Sequence, residues 1–128
     1  MSVHLPGAHK ILVIDDEPGI RKVIDRLLKQ FGYDTLLAWN GQEGLRLFDM
    51  YAPDIALVLL DWNLPGTSGG RQTLDELIRK RPDLRVILVT GAVEATTDER
   101  ATQDTVSILL KPFTPTELML AVRTVLGA

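Results

Sequence analysis

The chain has 128 residues, 45% of them hydrophobic and 24% charged, and a formal net charge of −3. These values fit one globular domain with a real core and leave no basic footprint for nucleic acid. Cysteine is absent, which excludes disulfides and thiolate metal sites and fits a reducing cytoplasm, and no apolar run approaches the ~20 residues that span a bilayer.

Residues 1–9 read as a lead-in without the apolar core of a signal peptide. Lys10 to Ile14 (KILVI) is a short β-branched run and reads as the first strand. Asp15-Asp16-Glu17-Pro18 follows, and acids ahead of a proline suit a helix start. Ile20, Val23, Ile24, Leu27, Leu28 and Phe31 recur at helical spacing, giving the first helix an apolar face that Gly32 ends. Asp34 to Trp39 reads as strand two, and Gly41 to Met50 as helix two with Leu45 and Phe48 inward. Ile55 to Leu60 is an unbroken apolar run ending in Asp61. A buried helix segment looks the same over so short a window. The bounding Pro53-Asp54 and Pro65-Gly66 favour a strand buried on both faces.

Leu74, Leu77 and Ile78 mark a third helix that stops before Pro82, and Arg85 to Thr90 reads as strand four. Val93 to Gln103, polar and rich in Thr, reads as helix four, and Val106 to Leu110 as strand five. Thr114-Pro115-Thr116-Glu117 has the form of a capping box. Leu118, Ala121, Val122, Val125 and Leu126 supply the inner face of helix five. The last strand is followed by a single helix, so 10–128 reads as one domain.

Five short strands alternating with five helices predict an α/β fold with a parallel sheet covered on both faces. Right-handed crossovers leave few topologies, and the doubly wound order 2-1-3-4-5 is favoured, with a crevice between strands one and three. The carboxyl ends of the strands then share one edge. That edge collects Asp15-Asp16, Asp61, Thr90 and Lys111, while strand two ends at Trp39-Asn40 and brings no charge.

Three carboxylates crowded in a partly desolvated crevice repel one another unless a cation sits among them. Carboxylate oxygens and waters are what Mg²⁺ prefers. A lysine and a hydroxyl across the crevice suit phosphoryl oxygens. Such a site can support phosphoryl transfer to a carboxylate by positioning and charge, and Asp61 is the best placed acceptor. Each residue alone has a plainer reading. Asp15 and Asp16 could cap a helix, Asp61 could end a strand before a turn, Thr90 could be a strand residue, and Lys111 could be solvated. Their convergence on one edge, in this order, carries the argument.

With these residues in place, the sequence resembles a receiver domain of bacterial two-component response regulators. The resemblance rests on Asp15-Asp16 after strand one, Asp61 in LLDWNLPG, Gly69 further along that loop, Thr90 ending strand four, and Lys111-Pro112-Phe113 after strand five. It implies a flavodoxin-like (βα)5 fold and an aspartyl phosphate on Asp61, received from a histidine kinase or phosphotransfer protein. It implies Mg²⁺ held by Asp15, Asp16, Asp61 and the backbone carbonyl of Asn63. It also implies Lys111 paired with the phosphoryl oxygens, Thr90 moving to hydrogen-bond one of them, and a cis bond at Lys111-Pro112. The domain would catalyse only its own phosphorylation and dephosphorylation. It would switch the binding of a downstream protein, with a homodimer through the helix four–strand five–helix five face as one outcome.

One position departs from the pattern. Three residues before Lys111 the family usually carries Tyr or Phe, and here Ile108 stands there. A β-branched aliphatic cannot swing as a ring does, so an altered switch on that face is expected. Two rival readings stay open: an adaptor that binds partners without phosphorylation, and a small aspartyl-phosphate phosphatase. The phosphatase reading wants a second Asp two residues after the nucleophile, where Asn63 stands. His4 and His9 have no partner pattern that points to a ligand role.

Overall fold

The structure is a computed structural model that describes residues 10–66, 69–91, 98–99 and 103–127. Its elements in chain order are β1 (Lys10–Ile14), α1 (Pro18–Gln30), β2 (Asp34–Ala38), α2 (Gly41–Tyr51), β3 (Ile55–Asp61), α3 (Gly70–Lys80), β4 (Val86–Thr90), β5 (Val106–Leu110) and α4 (Pro115–Leu126). A 3₁₀ turn at Ala52–Asp54 joins α2 to β3. All strands run parallel in the order β2-β1-β3-β4-β5, the expected flavodoxin-like arrangement. The expected helix over Val93–Gln103 falls almost wholly outside the described residues. The segment read as helix five is α4 here.

β3 is central because both its faces are apolar. Leu57 and Leu59 pack with Ile11, Val13, Ile87 and Val89 under α1 and α4, which contribute Ile24, Leu28, Leu118 and Val122. Val58 and Leu60 pack with Leu12, Ile14, Val86 and Leu88 under α2 and α3, which contribute Phe48, Leu74 and Leu77. A strand buried on both sides reads as a continuous apolar run, as Ile55 to Leu60 does.

The helix ends follow local chemistry. Asn40 Oδ1 accepts the Glu43 N–H at 2.7 Å and caps α2. Thr114 and Glu117 form the full capping box of α4, with reciprocal bonds of 3.1 and 2.9 Å. Gly127, at φ 72°, ends that helix in the left-handed conformation glycine tolerates. Two details differ from the sequence reading. β2 stops at Ala38, leaving Trp39 exposed. Val23, assigned to the inner face of α1, is 55% exposed, because Ile24 and Leu28 hold the centre of that stripe and Val23 lies at its margin.

Candidate functional site

Strand alternation places the site. Asp61 continues the rank of Leu57 and Leu59, Asp15 that of Ile11 and Val13, and Lys111 that of Leu109. All three therefore leave the sheet toward the side of α1 and α4. Thr90 continues the rank of Val86 and Leu88, which faces α2 and α3, as do Val106 and Ile108.

The β1–α1 turn is pinned from several directions. The Asp15 N–H donates to the Ala38 carbonyl at 3.0 Å. The Asp15 carbonyl accepts Arg21 Nη1 at 2.7 Å, and Asp15 Oδ1 accepts the Glu17 N–H at 2.9 Å. Asp61 is fixed in the same manner: its Oδ1 accepts the Asn63 N–H at 3.0 Å. Lys111 Nζ lies 3.6 Å from that oxygen. The Lys111 backbone is tied to β4 by its N–H on the Thr90 carbonyl at 2.8 Å, and the Lys111-Pro112 bond is cis, as the resemblance implied.

Asp15 and Asp61 are buried, at 2% and 4% exposure, and Asp16 is exposed. One carboxylate oxygen from each of the three lies within 4.8 Å of the others. Burial pushes both the Asp15 and Asp61 carboxyls above the ordinary carboxylate range. The Glu17 and Asn63 N–H bonds and the Lys111 charge pull the other way without cancelling it. Crowded oxygens with raised proton affinity form a site that gains from a cation. Mg²⁺ demands near-octahedral oxygens at about 2.0–2.1 Å, which puts ligand oxygens about 3–4 Å apart. The three carboxylate oxygens, all within 4.8 Å of one another, lie close enough together to share one such ion, with Asp16 open to solvent for the waters Mg²⁺ keeps.

Thr90 is fully buried, and its Oγ1 donates to Asn63 Oδ1 at 3.0 Å. The expected residues thus lie at one edge, but Thr90 is engaged with the β3–α3 loop. That loop is tight where it meets α3. A Cβ added at Gly70 would lie 2.7 Å from the Trp62 carbonyl carbon and Cα, so only glycine fits beneath that backbone. Two contributors escaped the sequence reading. Arg21 shows only as a helix cation six residues past Asp15. The Asn63 side chain carries no signal of its reach to Thr90.

A family model described as "Response regulator receiver domain" matches residues 11–123. A probable transcriptional regulator ycf27 of Guillardia theta is 35% identical, over 98% of this chain and 48% of its own length. The phosphate regulon transcriptional regulatory protein PhoB of Pseudomonas aeruginosa is 36% identical, over 91% of this chain and 51% of its own. The chain therefore spans about half the length of these curated relatives. Among solved structures, a response regulator receiver domain protein of Clostridium thermocellum superposes with a TM-score of 0.83 at 33% identity, covering 93% of this chain and 94% of that one. The response regulator protein TrrA of Thermotoga maritima, solved in complex with Mg²⁺ and BeF, gives 0.78 at 32% identity, covering 91% and 98%.

Proposed function

The chain belongs to the response regulator receiver domain family, and on that premise we propose that it is a phosphoacceptor in a two-component relay, phosphorylated on Asp61. The observation that carries this reading is the position of Asp61. It is buried at the end of β3, 3.6 Å from Lys111 Nζ and clustered with Asp15 and Asp16. The donor is a phosphohistidine on a histidine kinase or phosphotransfer protein. An Asp61 carboxylate oxygen attacks phosphorus as the P–N bond breaks, and the imidazole leaves with a proton from solvent. Asp15, Asp16, Asp61 and the Asn63 carbonyl would hold Mg²⁺. Bound there, it would supply charge neutralisation for the incoming phosphoryl oxygens. Lys111 meets those oxygens from the other side, and Thr90 donates to one of them once phosphate is present.

The output is a shift between two conformations that changes partner binding. Exposed Leu110 on β5 (47%) and Leu120 on α4 (54%) support a protein-binding or homodimer face at that end of the sheet. Ile108 in place of an aromatic ring favours a second reading, an adaptor that binds without phosphorylation.

Intact mass after incubation with acetyl phosphate separates the two. A single phosphoryl adduct that needs both Mg²⁺ and Asp61, and is absent from Asp61→Asn, supports the phosphoacceptor. No adduct, together with Trp62 fluorescence unmoved by beryllofluoride and Mg²⁺, leaves the adaptor.

A further inference from the structure

The hydroxyl of Thr90 has one hydrogen, and it donates to Asn63 Oδ1 at 3.0 Å. The alternation of β4 explains why. Thr90 shares its rank with Val86 and Leu88, on the α2 and α3 side, whereas Asp61 shares its rank with Leu57 and Leu59 on the other side. The Thr90 side chain therefore starts on the flank of the loop that begins at Asn63. Asn63 meanwhile touches the reactive carboxylate through its backbone, with its N–H on Asp61 Oδ1 at 3.0 Å. One residue thus contacts both the phosphoacceptor and the hydroxyl that must come to it.

We propose that the Asn63 side chain is a latch that competes with the phosphoryl group for the Thr90 hydroxyl. This rests on the phosphoacceptor reading of Asp61. In the unphosphorylated chain Oδ1 of Asn63 holds the hydroxyl on the β3–α3 loop. On phosphorylation the same hydrogen passes to a phosphoryl oxygen, and the amide of Asn63 is released. Asn63 is in this sense a positioning residue: it sets how much of the phosphoryl group's binding is used in drawing Thr90 across. The release also gives the switch an exit that does not need an aromatic ring at 108. Asn63 adjoins Trp62, and the Trp62 backbone is the surface on which Gly70 and the start of α3 sit. A change at Asn63 is felt in that loop directly, while position 108 on β5 carries Ile and no ring.

The test is a beryllofluoride titration at saturating Mg²⁺, in a Trp39→Phe background so that Trp62 alone reports. Asn63→Ala keeps the backbone amide and carbonyl and removes the competing acceptor. Beryllofluoride is expected to bind it about fivefold more tightly, the order of one net hydrogen bond. In a Thr90→Val background the same substitution should change nothing, because no hydroxyl is left to compete for. General damage to the loop would weaken binding, so tightening is not what a merely structural role gives. Unchanged or weaker binding in Asn63→Ala, or equal tightening with Val at 90, overturns the latch. A second measurement needs no variant at Asn63. The side-chain amide resonance of Asn63 should shift when beryllofluoride binds, and should stay put in Thr90→Val. A fixed resonance in the wild type also overturns the proposal. An acetyl phosphate adduct on the wild type keeps these failures apart from failure of the phosphoacceptor reading. Without that adduct both fall; with it, only the latch does.

Discussion

At the amino-terminal edge of the sheet, Arg81 donates Nη1 to the carbonyls of Ala52 and Ile55 at 2.9 and 2.7 Å, with Asp83 3.6 Å away. One cation there closes the 3₁₀ turn onto the end of α3. At the carboxyl-terminal edge three carboxylates crowd within 4.8 Å and share Lys111 at 3.6 Å from one of them. The same strands end in both places. At one end charge is matched to backbone acceptors and stabilises the fold. At the other it is concentrated against its own kind, and burial raises the proton affinity of Asp15 and Asp61. Sites that accept such a cost are where function is expected.

The largest test of that contrast is Asp61→Asn, which should abolish the phosphoryl adduct completely yet stabilise the protein. The folded Asp15 and Asp61 carboxyls bind protons more tightly than their ordinary value near 3.8 implies. Their favourable contribution is therefore full below that value and is lost as pH rises through the raised values. At pH 7.5 without Mg²⁺ the variant should melt at a higher temperature than the wild type, and the gap should close toward pH 4. Mg²⁺ should raise the melting temperature of the wild type more than that of the variant. A lower melting temperature for Asp61→Asn at pH 7.5 would show that Asp61 is satisfied without a cation.

Gly70→Ala comes next and strikes the active edge through packing. The added Cβ meets the backbone of Trp62, which cannot rotate away as a side chain would. Destabilisation of about 1–3 kcal/mol is expected by denaturant titration, with a shifted Trp62 emission. Wild-type stability and emission would mean that the Trp62 backbone can yield to a methyl group. Arg81→Ala probes the opposite edge. Losing a charged donor to two carbonyls should cost about 1–3 kcal/mol and leave acetyl phosphate labelling at the wild-type rate. Slowed labelling would mean that the two edges are coupled.

The active edge is far more legible in the amino-acid sequence than its opposite. β3 shows itself because a strand covered on both faces has no polar alternation to hide it, and Pro53 and Pro65 bracket it. Asp15, Asp61, Thr90 and Lys111 follow, because a parallel sheet brings all carboxyl ends to one edge. The amino edge gives no such signal. Arg81 looks like any charged residue after a helix, and its partners are carbonyls, which every residue carries. In the sequence Asn63 draws notice for the backbone carbonyl that the resemblance offers to Mg²⁺ and for standing where a phosphatase would carry Asp. Its side-chain bond to Thr90 spans 27 residues of sequence, and no periodicity reports such a contact. Val23 is misplaced for a geometric reason: spacing alone gives a helix stripe, but only packing fixes its width.

Ile108→Tyr has the smallest expected effect on either edge and asks how far the active one reaches. Position 108 lies opposite Leu88, two residue pairs short of Thr90 and Leu110, and its side chain packs against the α2 and α3 core. Labelling of Asp61 should be unchanged, since Ile108 belongs to the rank that faces away from the carboxylates. The backbone amide shifts that beryllofluoride causes along β5 should grow in the Tyr variant, because a ring can take two positions where a β-branched chain holds one. Equal shifts in both proteins would mean that the wild type already switches across β5 by another route. Shifts that stay concentrated near Asn63 and Trp62 in the wild type, and spread to β5 only with Tyr at 108, would place the natural output on the β3–α3 side. The active edge would then differ from its opposite in one more respect, since its strain would be released toward α3 rather than across the sheet.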